Sequence, residues 1–365
     1  MDCPSLPDSG YLHFRNRLYR GALRDRIPIS GTMELTSRCN LRCVHCYISG
    51  SREPEPGLGT EALMDVIDQI ADEGCLWLLL TGGEPLLRPD FREVYGHVKS
   101  RGILPMLFTN GTLITDDTAD FLASMPPYLV EISIYGSTEA TSRRVTGVPG
   151  SLGMALAGLE RLLDRGVRVG LKTMVMTLNS HEIGSMKTLA KDYGIQFRFD
   201  TAINSGLDGD HSPLRYRLTP EETVELDARD EERMQECREL AEDFAASEDG
   251  SGSIYQCGAG MNTFHVDAFG MLRVCMMSRD RTYSIPEGSF REGWRSFVPE
   301  VLSRQWASDP PCRTCRLRSL CGQCPAWGYL EHGDPEARVE YLCRTALLRA
   351  EALGLGDRHP YNKVK

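Results

Sequence analysis

A chain of 365 residues holds one large domain with an appendage, and its 41% hydrophobic and 25% charged content is that of a folded globular protein, which sets disorder aside. Its 51 acidic against 41 basic side chains leave a formal charge of −10, which argues against a non-specific grip on nucleic acid or anionic membrane. The longest apolar run, CLWLLL at 75–80, is too short to span a bilayer, and the start MDCPSLPDSG has no basic stretch followed by an apolar core, so the expected location is the cytoplasm.

In chain order, GTMELT at 31–36 reads as a first strand, and TSRCNLRCVHCY follows at 36–47. TEALMDVIDQIADEG spaces Leu63, Val66, Ile67 and Ile70 as one helical face behind a Thr60 cap, and Gly74 returns the chain to the strand LWLLLTGG. Gly102 precedes ILPMLFTNG, and LVEISIYG follows. The helix SLGMALAGLERLLDR ends at Gly166 before VRVGLKTMVM, and Gly194 precedes IQFRFDTAI. Six strands alternating with helices predict an α/β fold, a partial (β/α)6 TIM barrel rather than a closed eight-unit one. The polar motifs SRCNLRC, TGGEP, TNG and SIYG all fall at C-terminal strand ends, where such folds assemble one active site. The expected organisation is an N-terminal segment 1–30, a barrel 31–203, an acidic helical linker 204–252, a small cysteine-rich domain 253–350 and a tail 351–365.

Thirteen cysteines are many for a reducing compartment, and ten of them fall within 39–46 and 257–343, as metal ligands do. Cys3, Cys75 and Cys237 stand apart, with Cys75 expected as a packed core thiol. Cys39, Cys43 and Cys46 can wrap an iron–sulfur cubane while leaving one iron without a protein ligand. A zinc site with His45 as fourth ligand is the competing reading.

The CxxxCxxC spacing of CNLRCVHCY, followed by the aromatic Tyr47, resembles the radical S-adenosylmethionine (radical SAM) superfamily. That resemblance implies a [4Fe-4S] cluster held by Cys39, Cys43 and Cys46, whose open corner is chelated by the amino and carboxylate groups of SAM. It implies one-electron cleavage to a 5′-deoxyadenosyl radical that takes a hydrogen atom from substrate. TGGEP resembles the family's GGEP motif and places Gly82, Gly83 and Glu84 against the SAM amino group. Tyr47 is expected near the adenine, Asn110 and Ser133 near the nucleoside or methionine, and Arg144, with Arg143 as competitor, at the SAM carboxylate. Lys172 is a further candidate for the barrel interior.

Cys257, Gly270, Cys275, the run CRTCRLRSLCGQC with Cys312, Cys315, Cys321 and Cys324, and finally Cys343 resemble the SPASM extension of radical SAM enzymes. The family pattern CxxCx5CxxxC has three residues where this chain has two, between Cys321 and Cys324. The resemblance implies two auxiliary iron–sulfur clusters of [4Fe-4S] type: Cys312, Cys315, Cys321 and Cys343 hold the distal one, and Cys257, Cys275 and Cys324 the one nearer the barrel. The nearer set lacks a fourth thiolate. An open or non-cysteine ligand is expected there in preference to Cys237. A zinc ribbon built from the two CxxC pairs is the rival, but it leaves Cys257, Cys275 and Cys343 without a role.

Enzymes of this kind crosslink, oxidise or epimerise ribosomally made peptides, activate sulfatases, dehydrogenate aminocyclitols or modify tetrapyrrole side chains. Peptide modification is the expected function, with small-metabolite or tetrapyrrole oxidation as alternative and a non-catalytic zinc-stabilised scaffold as a distant third. The expected partners are a precursor peptide or small-molecule substrate and a flavodoxin- or ferredoxin-type electron donor. A separate leader-binding protein is also expected, because only about thirty residues precede the first strand.

Overall fold

The computed structural model describes Leu18 and residues 20–48, 57–246, 252–255 and 257–355; Cys3 lies outside them. Six parallel strands appear as expected: β1 (Ser30–Thr36), β2 (Trp77–Gly82), β3 (Leu104–Thr109), β4 (Leu129–Ser133), β5 (Val169–Met174) and β6 (Gln196–Asp200). Between them run α1 (Thr60–Asp72), α2 (Phe91–Ser100), α3 (Asp116–Ser124), α4 (Glu139–Thr146), α5 (Ser151–Leu163) and α6 (Ile183–Asp192). Thr60 is not the cap of α1. The cap is Gly59, and the Thr60 hydroxyl instead donates to Asp90 at 2.6 Å, tying α1 to the start of α2.

The strands alternate in side-chain direction. Met33, Leu35, Leu78, Leu80, Leu107, Val130, Ile132, Val169 and Leu171 are buried in one core with Leu63, Ile67, Ile70, Val94, Val98, Leu122 and Leu159 of the helices. The opposite face turns Glu34, Glu131 and Lys172 inward, with Arg198 at its exposed rim. Glu131 is buried and paired with Arg198, and the Lys172 ammonium lies 2.9 Å from the centre of the Phe108 ring. Burial holds the Lys172 pKa well below its ordinary value.

The sheet does not stop at six strands. Beyond β6 come α7 (Pro220–Ala228) and α8 (Glu231–Ala246), then β7 (Thr263–Val266), β8 (Met271–Arg273) and β9 (Tyr283–Ser284). β7 pairs parallel to β1 and carries β8 and β9 as an antiparallel extension, giving the order β6-β5-β4-β3-β2-β1-β7-β8-β9. β1 is therefore hydrogen-bonded on both edges.

The short helices α9 (Phe290–Glu292) and α10 (Val298–Leu302), joined by a π turn, stack Phe290 on Trp294 at 6.3 Å and set Phe264 edge-on to Phe290 at 4.9 Å. Arg291 and Arg295 reach the buried Glu73 at the end of α1, at 2.5 and 3.0 Å. The chain closes with α11 (Arg318–Cys321), α12 (Pro325–His332) and α13 (Glu340–Ala352).

The acidic stretch expected as a linker helix is two packed helices. α7 opens with a capping box between Thr219 and Glu222, and Asp227, fully buried, accepts Arg233 at 2.7 Å and Arg349 at 2.9 Å. Buried carboxylates persist when paired in this way. No described helix is long and apolar enough to cross a membrane.

One further anchor shapes the sheet's mouth. Glu182 accepts Ser137 N at 2.6 Å, Thr138 Oγ1 at 2.7 Å and Thr141 Oγ1 at 2.5 Å, fixing the N-terminus of α4. Burial alone would raise its pKa, but these hydrogen bonds outweigh it and hold the carboxyl at about 2. A depressed carboxyl contributes stability above its ordinary value of 4.5 and loses it as pH falls towards 2. Glu182→Gln is expected to cost about 1.5–3 kcal/mol near neutrality, the scale of hydrogen bonds to a charged group. In chemical denaturation the gap to the parent protein should close on acidification.

Candidate active site

Cys39, Cys43 and Cys46 lie on the loop leaving β1, and two neighbouring backbones clamp that loop. Gly83 N donates to Thr36 O at 2.7 Å and Glu84 N to Arg38 O at 2.8 Å, while Arg42 N and Val44 N donate to Thr146 O and Val145 O at the end of α4. The two glycines of TGGEP allow this contact. Gly82 has φ 133°, and a Cβ there would lie 2.2 Å from Thr36 O; a Cβ on Gly83 would lie 2.2 Å from Arg38 O. Gly83→Ala therefore displaces the thiol loop. It should cost about 1–3 kcal/mol, as overpacking does, and lower the iron bound per chain, read by melting temperature and iron analysis.

Glu84 is fully buried at the base of the loop. Its Oε1 accepts Thr109 Oγ1 at 2.8 Å and Leu86 N at 3.1 Å, and its Oε2 accepts Asn110 N at 2.7 Å. Three of about four lone-pair sites are thus taken within the chain, leaving one for a ligand donor. Asn110 also sends Nδ2 to Asn40 Oδ1 at 2.8 Å and towards Cys39 Sγ at 3.8 Å, and Thr112 joins the same network. Sequence reasoning missed Asn40, Thr109 and Thr112. Their signal was position alone, inside the CNLRC and TNGT turns.

Beside the thiols lies a small pocket, partly open to solvent, whose walls include Leu41, Asn110, Ser133, Tyr135, Thr146 and Ser151. Asn110 and Ser133 thus share one wall. Arg144, expected at a carboxylate, instead projects from the exposed side of α4 beside Arg143 and does not line this cavity. Tyr47 is likewise outside its lining. Tyr47 accepts Leu207 N at 2.8 Å through its carbonyl, and Glu34 and Arg279 act electrostatically on its hydroxyl. His45 packs edge-on against Tyr135 at 4.8 Å, with burial lowering its pKa to about 4.

The fit of these residues to a cluster follows from their electrostatics. Burial pushes the Cys39 thiol up to about 11 and Cys43 well above its ordinary value, with mutual repulsion among the three sulfurs adding to the rise. Thiols crowded together in this way become thiolates when cationic iron arrives to offset their charge.

The C-terminal cysteines form two further sets. Cys312, Cys315, Cys321 and Cys343 line one pocket with Arg318 and Arg338, partly open to solvent. Cys257, Cys275 and Cys324 repel one another as a separate set. Burial raises Cys321 and Cys324 to about 12. Cys237 joins neither set. It is buried among Leu317, Leu320, Ala346 and Ala350, so it does not complete the three-thiol group. Cys75 is a core thiol, as expected. Among the described residues no three His, Cys, Asp or Glu side chains are arranged to hold a single metal ion.

Fold and site together define an enzyme class: an open parallel β/α barrel with a three-cysteine loop at its mouth and a cysteine-rich C-terminal extension. A model of the radical SAM superfamily matches residues 33–191. The chain is 30% identical over 334 residues to the mycofactocin maturase MftC of Mycobacterium ulcerans, covering 86% of this chain and 89% of that protein. It is 28% identical over 325 residues to the AdoMet-dependent heme synthase of Methanosarcina barkeri, covering 82% and 92%. In fold it resembles Streptococcus suis SuiB bound to precursor peptide SuiA, with TM-score 0.69 and 14% identity over 94% of this chain and 82% of that one. The chain belongs to the radical SAM superfamily, as an enzyme of its SPASM group.

Proposed function

We propose that this enzyme modifies a ribosomally made peptide by crosslinking, oxidation or epimerisation. The observation that carries the reading is the likeness to a maturase along nearly the whole of both chains. Cys39, Cys43 and Cys46 would hold the SAM-binding [4Fe-4S] cluster, and the GGE turn with Asn110 and Ser133 would orient SAM in the adjoining cavity. Tyr47 would close the site at the adenine side, and Arg144 would need to swing inward to meet a carboxylate. Cys312, Cys315, Cys321 and Cys343 would hold one auxiliary cluster, and Cys257, Cys275 and Cys324 a second with a non-cysteine or open fourth position. With these groups bound, the chemistry supplied is one-electron SAM cleavage and hydrogen-atom abstraction from the substrate. The chain's own part is to position the substrate over the mouth and keep water from the radical. The enzyme would work in the cytoplasm with a flavodoxin or ferredoxin as reductant and a separate leader-binding protein.

Oxidation of a tetrapyrrole side chain or another small metabolite is the second reading, favoured by the likeness to a heme synthase over 92% of that protein. The test is anaerobic turnover with dithionite and SAM, offering in parallel a short peptide encoded beside this gene and an iron tetrapyrrole with free propionates. Mass spectrometry should show a SAM-dependent mass change in the peptide; a change confined to the tetrapyrrole replaces the first reading by the second.

A further inference from the structure

The inward face of the sheet carries a buried polar cluster where β1 meets β7, and the cysteine sites leave it unexplained. Thr32 and His265 are partners in the β1–β7 register, and Glu34 follows on the same face towards the C-terminal end of β1. Glu34 is 4% exposed and His265 1%. His265 Nε2 stands 3.6 Å from Glu34 Oε1, beyond hydrogen-bond length. Behind them Asp267 is satisfied: its Oδ1 accepts Phe269 N at 2.9 Å and Met271 N at 3.1 Å, and its Oδ2 accepts Arg273 Nη1 at 2.6 Å. Arg279 Nη1 stays 3.7 Å from Asp267 Oδ2.

Once these pairs are made, Glu34 Oε1, both ring nitrogens of His265, and the Nε atoms of Arg273 and Arg279 have no hydrogen-bond partner. Protein interiors pair nearly all such atoms, so five in one cluster point to a ligand that completes them. Location agrees. Glu34 acts electrostatically on Cys46 and Tyr47, and Arg279 acts on Tyr47 and Cys275, so the cluster lies between the three-thiol loop and the nearer auxiliary set.

The charge decides which ligand fits. Asp267 and Arg273 offset each other. Burial pushes Glu34 up to about 7 and lowers His265 to about 3, which leaves the imidazole neutral and the Arg279 guanidinium short of a full counter-charge. A planar guanidinium with an imidazole N–H beside it matches a carboxylate.

We propose that Arg279, His265 and Glu34 form a subsite for a carboxylate of the substrate, holding it between the radical-generating loop and the Cys257, Cys275 and Cys324 set. Arg279 and His265 donate N–H groups to the carboxylate, and Glu34 shares a proton with it. The inference rests on the reading that substrate binds between the two cysteine sites. A peptide Asp, Glu or C-terminus and a tetrapyrrole propionate offer the same group.

The probe is fluoroacetate, with fluoroacetamide as its uncharged control, followed by fluorine NMR line broadening on the anaerobically reconstituted, reduced holoenzyme, whose paramagnetic centres broaden a nearby nucleus. Fluoroacetate should broaden and fluoroacetamide should not. Arg279→Gln and Glu34→Gln should each weaken binding by about tenfold or more, the scale of one charge-assisted hydrogen bond; Arg279→Lys should retain part of it. Equal broadening by acid and amide in the parent enzyme overturns the proposal, and so does unchanged binding in Arg279→Gln. Should Arg279→Gln fail to load its clusters, the acid–amide contrast and Glu34→Gln still decide. Displacement by an acidic peptide, or by an iron tetrapyrrole but not its ester, identifies the source of the carboxylate. If the probe binds at Arg279 and neither substrate class competes or reacts, the subsite stands and the proposed function falls.

Discussion

Cys43→Ala is expected to reduce 5′-deoxyadenosine formation by more than about a hundredfold, because even outer partners of metal ligands are worth about 10–100-fold. Cys43 is the middle thiol of the loop clamped by Gly83, Glu84 and the end of α4. Those clamps are backbone contacts that the substitution leaves in place. The protein should therefore stay folded, with circular dichroism unchanged, while the three-thiol site loses its cluster. Iron analysis and product quantification after anaerobic incubation with dithionite and SAM check both halves. Retained cleavage in a folded, cluster-depleted variant would remove the assignment of this loop.

Cys315→Ala is expected to separate the two halves of the reaction. Cys315 lines the four-thiol cavity with Cys312, Cys321 and Cys343, away from the β1 loop. SAM cleavage without substrate should stay within about tenfold of the parent enzyme, while formation of modified product falls by about a hundredfold or more, the upper range for disturbing a metal site. If substrate conversion persists alongside SAM cleavage, the distal thiols serve folding alone. The cavity's neighbours Ala346, Leu317 and Leu320 also pack Cys237, so a fall in melting temperature accompanies the substitution.

The six barrel strands were legible because each is a short apolar run, four of them preceded by a glycine-marked helix exit, signals that are local. The thiol loop and the GGE turn were legible for the same reason. The extension β7–β9 was not. TFHV, MLR and YS are too short to carry a period, and β7 owes its place to pairing with β1 some 230 residues earlier in the chain. Asp227 looked like one more solvated carboxylate in an acidic stretch, because its partners Arg233 and Arg349 come from separate helices. Glu34 was hidden in GTMELT, where an alternating polar residue ordinarily faces solvent. At β1 both faces of the sheet are covered. Arg144 was placed by its distance from Ser133, and helical phase instead carries it outward from α4.

Because β1 lies between β2 and β7, cutting the chain ahead of β7 would make β1 an edge strand and bare the backbone donors and acceptors of Ser30 to Met33. Such a fragment would self-associate rather than survive as a minimal SAM-cleaving unit. Evolutionary or engineered exchange of C-terminal modules in this enzyme therefore has to preserve the strand that seals that seam, whatever becomes of the cysteines behind it.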